Sequence, residues 1–210
     1  MVATLVRSQH GFTLTELLIS MAVIGFILGG LLTLQLAAQQ TYLTGSNRVE
    51  SQEAGRIALQ RIVTEIRGAG NDPQAVTSQT PPPWTKITNA SATAFTIQND
   101  WDGSGTINSA LTVNVNGTLH GEQVTYSLSG TSLRRQESAI DATPQVVIDG
   151  VDGLTFTYYD ASNAVIASPG SNASSIRTIG ITLRTQPTDQ PTKSQGRVWV
   201  TMDDRVRIRN

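Results

Sequence analysis

Asp100, Asp102 and Ser104 put an oxygen-bearing side chain at every second position of one short stretch. Gly105 follows at the point where such a loop must turn sharply, then Thr106 with a backbone carbonyl to offer, then the apolar Ile107. Hard oxygens in an array of this kind are what calcium takes as ligands. Counting Asp100 as the first position, the bidentate acid expected at the twelfth is missing, because Leu111 stands there. Asn108 can contribute at the ninth, and Glu122 can reach in from a later strand. The same residues also make an ordinary hairpin turn, since Asp-Gly and Ser-Gly are common turn dipeptides. Both readings stand, with calcium the candidate cofactor and Asp100, Asp102, Ser104 and Thr106 its candidate ligands.

A second chemical feature is Glu16, a lone acid just inside a long apolar run. An unpaired carboxylate in hydrocarbon costs on the order of 2.5–3.5 kcal/mol by insertion scales. Catalytic sets are harder to find. There is no cysteine, and the two histidines, His10 and His120, lie far apart in the chain. No Gly-rich phosphate loop, Ser-His-Asp set or carboxylate pair at a legible spacing occurs. The chain therefore reads as a non-enzyme. Net charge is -1, which gives no bulk attraction to nucleic acid. The basic clusters, Arg134-Arg135 and the tail residues Arg205, Arg207 and Arg209, read as solvated strand faces, with Asp203 and Asp204 pairing the tail. Trp84, Trp101 and Trp199 read as packing residues.

These groups need elements to hold them. Residues 12–38 are apolar apart from Glu16 and a few Thr, Ser, Gly and Gln. As a helix this run is about 40 Å long, enough to cross a bilayer core. It is too long for an ordinary secretory signal, and the best cleavage candidate lies before it. Arg7 lies before the run, and the next basic residue is Arg48. That asymmetry expects a single pass, with the N-terminus cytoplasmic and the rest of the chain outside.

Gly11-Phe12-Thr13-Leu14-Thr15-Glu16-Leu17-Leu18-Ile19 resembles the class III signal of type IV pilins and type II secretion pseudopilins. The resemblance implies a leader at 1–11, cleavage between Gly11 and Phe12 by a prepilin peptidase, and methylation of the new N-terminus at Phe12. Thr15 departs mildly, since an aliphatic residue is commoner there. The resemblance also gives Glu16 a role. Cleavage creates an amine at Phe12, and a neighbouring subunit's Glu16 can neutralise it during docking. The alternative is a pair between Glu16 and its own N-terminus. On either reading the acid finds its partner only after cleavage. The loop from Asp100 resembles the front half of an EF-hand.

The helix is expected to continue past the membrane, over roughly 12–68. Leu59, Ile62, Val63 and Ile66 form a stripe at helical spacing, and Arg61 and Glu65 form an i, i+4 pair. Gly68-Ala69-Gly70-Asn71-Asp72-Pro73 is a stop signal. The expected divisions are a membrane and assembly helix at 12–38, a soluble helical part at 39–70, a Pro/Gly-rich linker at 71–92 and a β-rich domain at 93–210. Period-two patterns expect strands at Ala94–Gln98, Ala110–Val115, Gln123–Leu128, Ser132–Arg135, Val146–Ile148, Leu154–Tyr159, Thr178–Arg184 and Arg197–Met202, the last extended by Arg205–Arg209. The fold class is α+β, a long N-terminal helix packed on an antiparallel sheet domain.

Tyr42, Arg56-Ile57-Ala58-Leu59-Gln60-Arg61 and Glu65-Ile66-Arg67-Gly68-Ala69-Gly70 are similar to the PilW-type minor pilins, with weaker echoes through to Val206-Arg207-Ile208-Arg209-Asn210. That resemblance implies a minor pilin involved in pilus initiation and assembly. It implies residence in the bacterial inner membrane and then in a fibre at the cell surface. The implied partners are major and minor pilins, the prepilin peptidase and the inner-membrane assembly platform. Two alternatives remain: a J-type minor pseudopilin of a type II secretion system, and a membrane-anchored module for adhesion or DNA uptake.

Overall fold

The computed structural model describes residues 11–72, 84–187 and 199–208. The leader residues before Gly11, half of the expected linker (73–83), the start of the expected strand at Arg197 and the end of the chain from Arg209 lie outside the described residues. Among the described residues there is one α-helix, α1, Leu14–Gly68. It opens three residues after Gly11 and closes where Gly70 takes a positive φ of 78°, a conformation glycine adopts without Cβ strain.

The chain divides into two units, one ending at Ser46 and one beginning at Asn47. In the first, every described residue is exposed, including Leu17, Ile24, Phe26, Ile27 and Leu31. An uninterrupted run with no proline and no charge beyond Glu16 suits a helix that needs only lipid or other helices around it.

In the second unit, α1 turns amphipathic. Ser51, Gly55, Ala58, Leu59, Ile62, Val63 and Ile66 are buried, at the three- and four-residue spacings of one helix face. Among the described residues ten strands accompany it: β1 Ile87–Thr88, β2 Ala94–Gln98, β3 Thr112–Val115, β4 Thr118–Gly121, β5 Gln123–Ser129, β6 Ser132–Glu137, β7 Gln145–Ile148, β8 Val151–Tyr159, β9 Thr178–Thr185 and β10 Val200–Arg207. All pair antiparallel, in sheets ordered β1-β2-β5-β6-β7, β10-β9-β8 and β3-β4. The fold is thus α+β and pilin-like, a long N-terminal helix packed on antiparallel sheets.

Alternation builds the core. In β8, Leu154, Phe156 and Tyr158 point inward, opposite Leu183, Ile181 and Ile179 of β9. A register shift between Val151 and Gly153 puts Val151 inward as well, three residues before Leu154. Phe95 joins the two larger sheets: its ring stacks on Tyr126 at 5.6 Å and meets Phe156 edge-on at 4.7 Å. The Tyr158 hydroxyl donates to the Ser91 carbonyl at 2.7 Å, which satisfies the one polar atom this ring takes inside. Thr185 Oγ1 donates to the Ser51 carbonyl at 2.9 Å and ties β9 to the buried face of α1.

Four details differ from the sequence reading. The strand expected from Ala110 begins at Thr112, because Asn108 and the residues after it turn first. It pairs with an unexpected partner, β4, across Asn116-Gly117, both at positive φ (51° and 87°), as a tight hairpin turn requires. The linker region contains β1, a two-residue strand held by β2. The last strand starts at Val200 and runs unbroken to Arg207, where the sequence suggested two pieces.

Candidate functional site

The first site is the N-terminal junction. Gly11, Phe12 and Thr13 are exposed and non-helical, so the Gly11–Phe12 peptide bond lies ahead of α1 with its backbone accessible. A Cβ added at Gly11 meets no atom within 4 Å. The fold itself therefore does not demand glycine there.

Glu16 behaves differently from the sequence reading. Its Oε2 accepts hydrogen bonds from the Thr13 backbone N–H at 2.9 Å and the Thr13 hydroxyl at 2.8 Å. The Glu16 N–H in turn donates to Thr13 Oγ1 at 3.3 Å. Thr13 is the N-cap and Glu16 the third helical residue, a capping box. The acid thus has a partner inside its own helix before any cleavage, which corrects the expectation that it gains one only afterwards. The signal was present as Thr13-x-x-Glu16, directly before an apolar run. The carboxylate also sits in the first turn, where the helix dipole favours negative charge.

The second site is the loop after β2. Asp100 and Glu122 are wholly buried. Asp100, Asp102 and Glu122 each bring one carboxylate oxygen to within 4.8 Å of the others. The loop arranges itself around Asp100: Oδ1 accepts from the Ser104 N–H at 3.1 Å and Oδ2 from the Gly105 N–H at 2.6 Å. Asp102 Oδ1 accepts the same Ser104 N–H at 2.9 Å. Gly103 and Gly105 have positive φ, 71° and 77°, so the tight path of the loop depends on them. Ser104 Oγ donates to the Thr106 carbonyl at 3.1 Å, so both are on the loop as expected. Glu122 comes from the short link between β4 and β5, and its Oε2 accepts the Asn108 N–H at 2.6 Å.

Burial pushes the Asp100 carboxyl up, against the Gly105 N–H that favours its charged form. Burial also pushes up Glu122, and the charges of Asp102 and Asp100 add to this, while the Asn108 N–H and, more weakly, the Trp101 backbone oppose it. Asp102 is held low by the backbone and side chain of Ser104. Among the described residues none of the three forms a salt bridge.

Of the basic residues, Arg205 and Arg207 are exposed as expected, but Arg135 departs from the sequence reading. Arg135 is largely buried rather than solvated, paired with Glu65 of α1 at 2.9 Å and Glu137 at 2.7 Å. Arg61 keeps the expected pair with Glu65, at 3.5 Å. Among the described residues Asp203 and Asp204 form no ion pair with Arg205 or Arg207: Asp203 accepts from the Thr182 hydroxyl and Asp204 from the Arg205 N–H. Arg205 lies over the Tyr159 ring, 3.7 Å from its centroid. Trp101 stacks on His120 at 4.9 Å, beside a cavity of about 210 Å³ that Glu65, Arg135 and Glu137 also line.

The family described as the prokaryotic N-terminal methylation motif matches residues 6–32. No curated protein matches the chain. The motif together with the long helix on antiparallel sheets makes this a type IV pilin-like prepilin. Such a chain is processed by a prepilin peptidase and assembles with other pilins, and its apolar helix anchors it in the inner membrane before it enters a pilus or pseudopilus. Proteins of this kind are typically structural subunits rather than enzymes.

Proposed function

We propose that the chain is a PilW-type minor pilin that helps initiate or cap a type IV pilus. The prepilin peptidase cuts between Gly11 and Phe12, and Phe12 becomes the methylated N-terminus. Glu16 then exchanges its internal partner, Thr13, for the amine of a neighbouring subunit. The observation that supports this reading best is the division of α1. Residues through Ser46 are largely apolar and wholly exposed, while the residues from Asn47 serve a folded domain. An exposed apolar surface of that extent calls for lipid first and helix partners afterwards. The minor-pilin assignment is supported by the residues Arg56–Arg61 and Glu65–Gly70, where this chain resembles PilW-type sequences.

Deletion of the gene, with surface pili counted and secreted enzymes assayed, tests the proposal. Loss of pili with intact secretion is the expected outcome. Normal piliation would overturn the reading, in favour of a pseudopilin if secretion fails and of an adhesive or DNA-uptake module if only those activities fail.

A further inference from the structure

We infer that the loop 100–106 and Glu122 form a calcium site, with Glu122 as the acid that the loop itself lacks. The local sequence supplies Asp100, Asp102, Ser104 and the Thr106 carbonyl, with glycine at the sharp turn. The position where a contiguous calcium loop would carry its closing carboxylate holds Leu111. The fold answers this from a distance, by bringing Glu122 back against Asp100 from the β4–β5 link.

Size agrees with the inference. Calcium–oxygen distances run from about 2.3 to 2.6 Å, so ligands on opposite sides of the ion lie roughly 4.6–5.2 Å apart. The three carboxylate oxygens fall within 4.8 Å of one another, the dimension of a single coordination sphere.

An independent observation comes from Glu122 itself. Its side chain is fully buried, yet Oε1 has no hydrogen-bond partner. A buried acceptor without a partner is costly, more so on a carboxylate. Its other oxygen, Oε2, is held by the Asn108 N–H, so the side chain is fixed in the cluster with one oxygen still to satisfy. Asp100 spends each of its oxygens on one N–H, and a carboxylate oxygen can accept more than one partner. A divalent cation offset against three acids satisfies Oε1 and relieves their mutual repulsion together.

The ligand chemistry selects the ion. All candidate ligands are oxygens, and one is a backbone carbonyl. Zinc prefers nitrogen and sulfur. The nearby His120 is engaged otherwise, stacked on Trp101 with Nδ1 3.5 Å from Glu137. Magnesium demands a tighter octahedron and keeps most of its waters, which two wholly buried acids do not favour.

The site also has something to stabilise. The Asp100 N–H donates to the Asn71 carbonyl at 2.9 Å, the Asn71 N–H to Asn99 Oδ1 at 3.1 Å, and the Asn99 N–H to the Glu122 carbonyl at 2.9 Å. The same loop therefore clasps the C-terminal end of α1 to β2 and β5. An ion bound there fastens the helix end to the sheet, in a compartment where calcium is available.

The test uses the full chain in detergent micelles, stripped with chelator and then titrated with calcium chloride. One equivalent is expected to bind, with Kd on the order of 10⁻⁴–10⁻³ M, the range of extracellular calcium modules. At calcium 100-fold above Kd the unfolding midpoint should rise by roughly 5–10 °C. Trp101 lies between two of the ligands, so terbium bound in place of calcium should emit when tryptophan is excited. Asp102→Asn, at a partly exposed position, and Glu122→Gln, close to isosteric, should each fold and lose both responses. Absence of binding heat and of sensitised terbium emission would overturn the inference. So would an undiminished response in both variants, or an equal thermal shift with magnesium.

Discussion

The two parts of α1 share one uninterrupted helix and differ in almost everything else. Through Ser46 the residues are largely apolar and wholly exposed; from Asn47 they are far more polar, yet seven are buried. Hydrophobicity alone therefore does not say where a residue is packed. The first part is apolar all round and has no single face to bury, so one chain cannot cover it. The second confines its apolar residues to one stripe, which a sheet can cover completely. The contrast separates a surface made for other molecules from one made for the chain's own domain.

Substitutions at four positions test this contrast. The largest effect is expected at the junction. Gly11→Gln should abolish processing, leaving the precursor in the membrane, because the open space around Gly11 places any demand for glycine with the peptidase. Intact mass distinguishes the two forms, and a mature chain starting at Phe12 in the variant would remove Gly11 from recognition. Gly11→Ala should process in part.

Next comes Ile62→Ala, on the buried stripe. Ile62 is fully buried, so truncation should cost about 2–5 kcal/mol and lower the thermal midpoint of the second unit by several degrees. A midpoint within a degree of wild type would show that the stripe is not part of the core. Glu16→Gln should lower incorporation into fibres several-fold while leaving processing and the unfolding of the second unit as they were. Equal incorporation would assign Glu16 to helix capping alone. The smallest effect is expected at Ile27→Ala, matched in chemistry to Ile62→Ala. Detergent-solubilised protein should unfold within about 0.5 kcal/mol of wild type, as substitutions at sites without intramolecular packing do. A loss as large as that at Ile62 would erase the contrast.

Much of this was legible because it is local. Periodicity places the end of α1 at Gly68, since the stripe of Leu59, Ile62, Val63 and Ile66 stops where Gly68, Gly70 and Pro73 begin. Alternation placed the cores of β2, β5, β8 and β9. The capping box of Thr13 and Glu16 and the Asn116-Gly117 hairpin carried local signals as well, although the reading did not use them. β1 has only two residues, too few for any period, and exists because β2 supplies its hydrogen bonds. Arg135 looked solvated because β6 is short and polar, while its partner Glu65 lies 70 residues away in the chain.

The sequence by itself determined the membrane helix, the prepilin motif around Gly11-Phe12, the acid at Glu16 and the α+β class. Each of these rests on interactions within a few residues or on transfer of a contiguous segment from water, and neither needs knowledge of the rest of the chain. Only the tertiary structure decided that Glu122 comes back against Asp100 and that Glu65 pairs with Arg135. Those pairings join residues far apart in the chain, so they exist only once the sheets have formed and burial has made an unpartnered charge costly.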